Sequence, residues 1–242
     1  MTSKEKSGYV KAQELIGKGL YSPAEAARLI RTPARKVRRW LHGVDDSSHG
    51  VKRHLNPLTD AVFCLKTGEY LTFAGLIELL AIRAFRDAGV SMPMIRRVHE
   101  NAKARYCSDH RFALRRFFTD GKHIFSDTVE EFREDGIDKL EELSRSQLAF
   151  ERVIGPSLVD IDFTDGRAAR YWPKGHDVDV VIDSQRQFGK PIDPASGVPT
   201  SALAQAFAAE RNNVRAVARW YGVSSKAVKD AVRFELEISK AA

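Results

Sequence analysis

The sequence predicts a mainly α fold with small β elements. It divides into an N-terminal winged helix-turn-helix (residues 1–106), a β-containing connecting region (107–183) and a C-terminal three-helix, helix-turn-helix-like dimerisation unit (184–242). Three observations carry this reading. Two helix-start signals, at Ser22 and Thr32, stand close together in the chain. The second opens a short segment crowded with cations. Two later stretches, 61–73 and 158–172, are apolar or alternating runs broken by turn residues, as hairpins are.

Ser22 is a natural N-cap, Pro23 fits the first helical position, and Glu25 completes a capping box. Thr32 and Pro33 repeat the cap-plus-proline signal. In the second helix Val37, Trp40 and Leu41 fall at i, i+3 and i+4 and predict a buried stripe. Arg35, Lys36, Arg38 and Arg39 are left for the exposed face. A helix pair with a cationic second helix is a common route into a DNA major groove. Charge agrees. The 242 residues carry a formal net charge of +7, and residues 1–43 alone hold ten Lys/Arg against three Asp/Glu. Residues 126–142 lean the other way, with eight acids and two bases. A basic end on an otherwise balanced chain predicts a polyanionic partner bound there.

Residues 42–56 read as a polar loop, with Lys52 and Arg53 placed to reach phosphates. The stretch 61–73 reads as a hairpin turning at Lys66–Glu69, and a hairpin behind a helix-turn-helix is a wing. Thr72 caps a long helix whose Leu76, Leu79, Leu80, Ile82 and Phe85 form a broad apolar stripe, and Gly89 stops it. Ser91 and Pro93 start another helix, with Ile95 and Val98 inward and Arg96, Arg97, Lys103 and Arg105 outward. The segments T-P-A-R-K-V-R-R-W, L-T-F-A-G-L-I-E-L and F-R-D-A-G-V-S-M-P-M-I-R-R-V, within residues 20–105, resemble the winged-helix DNA-binding domain of the MerR family. That resemblance implies a first helix pair and wing followed by a second helix pair. The later sequence departs from MerR regulators. It has no long heptad helix for an antiparallel dimer and no effector-binding cysteines.

In the connecting region Phe112, Leu114, Phe117 and Phe118 predict a short apolar element, and His123–Asp127 a strand. Leu140, Leu143, Gln147, Phe150 and Ile154 follow a/d spacing over about two heptads, which predicts a packed helix rather than a coiled coil. Residues 158–172 alternate about an Asp165–Gly166 turn, and 178–184 predict a further strand. Beyond Ser184 come two helices, 201–210 and 213–221, a Gly222–Ser224 turn, and a last helix from Ser225. That helix carries Lys226, Lys229 and Arg233 beside Asp230, Glu235 and Glu237, a mixed sign that argues against a DNA-facing role. Its apolar groups nearly encircle it, which calls for a partner surface and predicts a homodimer through this half.

The C-terminal pattern F-G-K-P-I…G-V-P-T…V-A-R-W-Y…A-V-R-F-E is similar to the domain of unknown function 433 found in bacterial antitoxins. A MerR-like half followed by this domain resembles the VapB-type antitoxins. The resemblance implies a cytoplasmic antitoxin that neutralises a cognate PIN-like ribonuclease toxin and represses its own operon by binding operator DNA as a dimer. It further implies an antitoxin cation inserted among the toxin's carboxylates, for which Arg186, Lys190, Arg211, Arg215 and Arg219 are candidates. The rival reading is a MerR-like transcriptional regulator with no toxin partner.

Other chemistry is thin. Asp160, Asp162, Asp165, Asp177, Asp179 and Asp183 could serve a metal-dependent nuclease, but solvent-facing strands and a D-G turn explain them more simply. His42, His49, His54 and Cys64 match no zinc spacing. Cys64 and Cys107 read as reduced packing residues. No Walker loop, nucleophile elbow or dinucleotide glycine motif occurs, so neither an enzyme nor a cofactor is expected. No apolar run is long enough to span a membrane.

Overall fold

A computed structural model describes residues 17–46, 53–59, 62–108, 110–134 and 160–240. The helix expected over 139–154 lies outside the described residues, as do Lys52 and His49. The first helix, α1 (Pro23–Leu29), opens with the expected capping box. Glu25 N donates to Ser22 Oγ at 3.2 Å, and Glu25 Oε2 accepts from Ser22 N at 2.8 Å. Arg31 turns through φ 51° into α2 (Ala34–His42). Thr32 does not cap α2. Its buried hydroxyl donates to Ile30 O at 3.2 Å, and Pro33 takes the N-cap position with no side-chain bond.

The segment expected as a loop contains a two-stranded ribbon, β1 (Val44–Asp46) with β2 (Arg53–Leu55), antiparallel with Val44 opposite Leu55. The expected hairpin follows as β3 (Val62–Leu65) and β4 (Gly68–Leu71), with Gly68 opening β4 rather than lying in the turn. Two 15-residue helices come next, α3 (Phe73–Asp87) capped by Thr72 and α4 (Met92–Tyr106) capped by Ser91. After a short turn at Arg111–Ala113, α5 runs from Arg115 to Glu134. It includes residues 123–127, expected as a strand. Phe117, Gly121, Ile124 and Thr128 are buried at spacings of four, three and four, a helical period that overrides the brief apolar pair at 124–125.

A four-stranded antiparallel meander follows: β5 (Ile161–Thr164), β6 (Arg167–Tyr171), β7 (Val181–Asp183) and β8 (Pro191–Ile192). The Asp165–Gly166 turn joins the first two, as expected. The strand expected at 178–184 is shorter, and the expected boundary at 183/184 falls between the paired β7 and β8. Three helices close the described chain: α6 (Thr200–Ala209), α7 (Val214–Tyr221) and α8 (Ser225–Lys240).

One core unites residues from the beginning and the end of the chain. Ile30, Leu41, Leu76, Ile82, Val98 and Phe117 share it with Ile182, Phe234 and Ile238. A smaller core of Leu203, Val217, Val228 and Ala231 holds α6–α8 together. The apolar groups of α8 are therefore covered largely within the chain, and Leu236 alone among its large ones stays exposed. The halves are also pinned by backbone. Leu20 N donates to Phe188 O at 2.9 Å, and the buried Tyr21 hydroxyl donates to Gly189 O at 2.7 Å. Burial pushes the Tyr21 phenol pKa above its ordinary value, so it stays protonated and able to donate. Gly189 sits at φ 78°, and a Cβ there would overlap the Tyr21 hydroxyl and lie 2.9 Å from Tyr21 Cζ. Both cysteines are exposed free thiols, not packing residues.

Candidate nucleic-acid interface

The face of α2 is set by its period. Val37, Trp40 and Leu41 are buried, and Arg35, Lys36, Arg38 and Arg39 are all exposed. Holding this helix requires fixing both ends. At its start, α1 packs through Ala26, Ala27 and Ile30. At its end, Leu58 N donates to Trp40 O at 2.7 Å, so the chain leaving β2 is bonded to the last turn. His42, in that turn, lies 3.2 Å from Glu69 of β4, both exposed. The ribbon β1–β2 projects directly from the end of α2 and carries Arg53. Lys52 precedes it, outside the described residues.

A buried polar cluster fixes the exit of that ribbon. Arg96 of α4 donates to Asn56 O, and the buried Thr59 hydroxyl donates to Glu78 of α3. Glu78 is fully buried, 3.4 Å from His99 Nε2 and 3.5 Å from His110 Nδ1. The buried Arg111 reaches His99 Nδ1 at 2.9 Å. Burial alone would raise the Glu78 carboxyl, but the imidazoles of His110 and His99 outweigh it and hold the carboxyl at about 2. Glu78 is thus a carboxylate at neutral pH, and the cluster ties α3, α4, the Arg111 turn and the ribbon exit together. No spacing in the sequence announces it.

The C-terminal candidates separate. Lys190, Arg211, Arg215 and Arg219 are exposed. Arg186 is engaged inside the fold: its Nη1 donates to Pro194 O at 2.8 Å, and its guanidinium fills the space a Cβ on Gly197 would need. The sequence reading passes over two exposed groups on the same helix as Arg215 and Arg219. Trp220 is 69% exposed and Tyr221 is also exposed, at the end of α7. A wheel projection of α7 would not have found them, since it sets Trp220 and Tyr221 within about 60° of the buried Val217.

Three of the six acidic residues nominated in this region are tied to donors. Asp162 accepts from Trp172 Nε1 at 3.0 Å, Asp183 from Arg170 Nε at 3.1 Å, and Asp179 pairs with Lys226 at 2.9 Å. Among the described residues no group of His, Cys, Asp and Glu is arranged to hold a metal ion, and no helix is long and apolar enough to cross a membrane. A cavity of about 740 Å³ between α3, α4 and the β5–β6 turn is lined by Asp165 alone of the acidic set and by none of the nominated cations.

The fold and the bare cationic face of α2 define the class, a helix-turn-helix protein of the DNA-binding kind. Residues 19–98 match the family described as "Putative DNA-binding HTH domain". The chain is 28% identical over 222 residues to the "Putative antitoxin VapB45" of Mycobacterium tuberculosis, a match covering 88% of this chain and 92% of the relative. The crystal structure of Rv2018 from Mycobacterium tuberculosis has the same fold, with a TM-score of 0.67 over 88% of this chain and 96% of that one at 24% identity. The chain is thus similar, across most of its length, to a protein named a putative VapB antitoxin, and its own residues 19–98 match the helix-turn-helix family.

Proposed function

We propose that this chain is the antitoxin of a toxin–antitoxin pair, that it binds operator DNA through α1–α2, and that it represses its own operon. One observation carries the reading. Four cations of α2 are exposed on a helix whose opposite face is locked into the core, while a ribbon extends from its end. Arg35, Lys36, Arg38 and Arg39 enter the major groove, and Arg53 on the ribbon, acting as a wing, reaches flanking phosphates together with its chain neighbour Lys52. A homodimer places two such helices on an inverted repeat.

The C-terminal half neutralises the toxin, a PIN-like ribonuclease. Arg215 and Arg219 on one face of α7, and Trp220 and Tyr221 exposed on another, are residue types that anchor interfaces. Arg211 and Lys190 flank it. Arg186 supports the loop 193–197 rather than the contact itself.

Each neutralised phosphate steepens the dependence of log affinity on log salt by about 0.9. Replacing Arg38 and Arg39 with Ala should make that slope shallower by about 1.8, measured by fluorescence anisotropy on the operon's upstream DNA. An unchanged slope removes α2 from the phosphates. Growth arrest by the neighbouring gene product, relieved by this chain and not by a variant with Arg219 and Trp220 changed to Ala, tests the toxin contact.

A further inference from the structure

The sequence of α8 has mixed sign, but in the fold its acids are all engaged and less exposed than its cations. All three of its acids are turned to partners. Asp230 is buried, accepting from Asp179 N at 3.1 Å and from Lys226 at 2.9 Å. Glu235 accepts from the Thr200 hydroxyl at 2.5 Å. Glu237 is held by Lys174 at 2.7 Å and Arg31 at 2.9 Å, which lower its pKa and keep it ionised. Lys229, Arg233 and Lys240 are exposed, and with them Lys226, which is ion-paired to Asp179 and Asp230. At 100° per residue these four fall within about 60° of the helix circumference. They form one stripe about 21 Å long, which spans about six base-pair steps of duplex.

The position of α8 matters as much as its charge. Glu237 is ion-paired to Arg31, which lies two residues before Pro33, the N-cap of α2. Phe234 and Ile238 share a core with Ile30 and Leu41. The stripe and the α2 cations therefore belong to one body, with the end of α8 beside the start of α2.

We infer that the α8 stripe is a second DNA-contacting surface, which binds backbone phosphates flanking the site read by α2. The inference rests on the proposal that α2 binds operator DNA. Its cations are simple side chains with no aromatic neighbour in the stripe, which suits phosphate neutralisation rather than base reading. For this, α8 must lie along the adjoining duplex when α2 docks in the groove, and its packing against Arg31 and Ile30 brings it within reach.

The test uses the full chain and two duplexes of the upstream DNA, one trimmed to the α2 site and one with flanks of about ten base pairs. Lys229, Arg233 and Lys240 are changed together to Ala, leaving Lys226 to its structural pairs. On the long duplex the salt slope should become shallower by about 2.7, at 0.9 per contact. On the trimmed duplex the variant should match the parent. The exchange K229R/R233K/K240R keeps the charges and should restore the long-duplex slope, which separates lost charge from lost fold. Equal slopes for parent and Ala variant on the long duplex overturn the inference. So does a variant that keeps its slope but no longer binds the toxin, since the stripe would then serve a protein. If the Arg38/Arg39 variant shifts the slope and the α8 variant does not, the inference fails while the α2 reading stands. If neither shifts it, the α2 reading itself has failed.

Discussion

Replacing Gly189 with Ala should loosen the joint between the two halves of the chain. Gly189 sits at φ 78°, where an L side chain costs about 1–2 kcal/mol. Its Cβ would also overlap the Tyr21 hydroxyl and lie 3.0 Å from the Gly19 Cα. Tyr21 is 2% exposed and cannot swing into solvent, so it must shift and give up its 2.7 Å bond to Gly189 O. Leaving that buried pair unmade costs a further 1–3 kcal/mol, roughly. The sum is about 3 kcal/mol. Tyr21→Phe alone should cost about 1–2 kcal/mol, from the lost bond. The two changes should not add. Without the hydroxyl the worst overlap is gone, and Gly189→Ala combined with Tyr21→Phe should cost about 1 kcal/mol less than the two single costs summed. Urea unfolding followed by tryptophan fluorescence reads this directly, because Trp40 and Trp172 lie in the two regions the joint connects. An unchanged midpoint for Gly189→Ala, or strict additivity with Tyr21→Phe, would refute the reasoning.

Other predictions follow from the polar core and the thiols. The Glu78 carboxyl is held below its unfolded-state value, so the stability it contributes is complete above about pH 4.5 and is lost as pH falls toward about 2. Glu78→Gln should lower stability near pH 7 by about 1–3 kcal/mol, by leaving the buried Thr59 hydroxyl and His99 ring without their charged acceptor, and should flatten the acid limb of a stability–pH curve. A parallel acid limb in variant and parent would remove Glu78 from that role. Cys64 and Cys107 should both react with a thiol reagent in the native protein without unfolding it; mass spectrometry showing protection of either would contradict their exposure.

Local signals in the sequence are readable where one side chain or one short period decides the outcome. The capping box at Ser22, the caps at Thr72 and Ser91, the Asp165–Gly166 turn and the exposed face of α2 all depend on residues within a few positions of each other. The ribbon β1–β2 is not readable, because V-D-D and R-H-L are too short and too polar to alternate. Helix α5 misleads at 123–127 because two apolar residues in a row resemble a strand until Phe117 and Thr128 are counted with them. The inward turn of the α8 acids depends on Arg31, Lys174, Asp179 and Thr200, all distant in sequence. So does the internal role of Arg186, which needs the Pro194 carbonyl. A charge count along one helix cannot see any of these partners.

The ion pair between Arg31 and Glu237 joins residues 206 positions apart. A ribosome delivers α1 and α2 long before α8 exists to cover them. During that interval the back of the helix-turn-helix, including Ile30, lacks the contribution of Phe234 and Ile238. Chains interrupted in the C-terminal third would hold α1 less firmly. The seat of the first helix pair is therefore completed by the last helix of the described chain, so that its stability is a property of nearly the whole sequence.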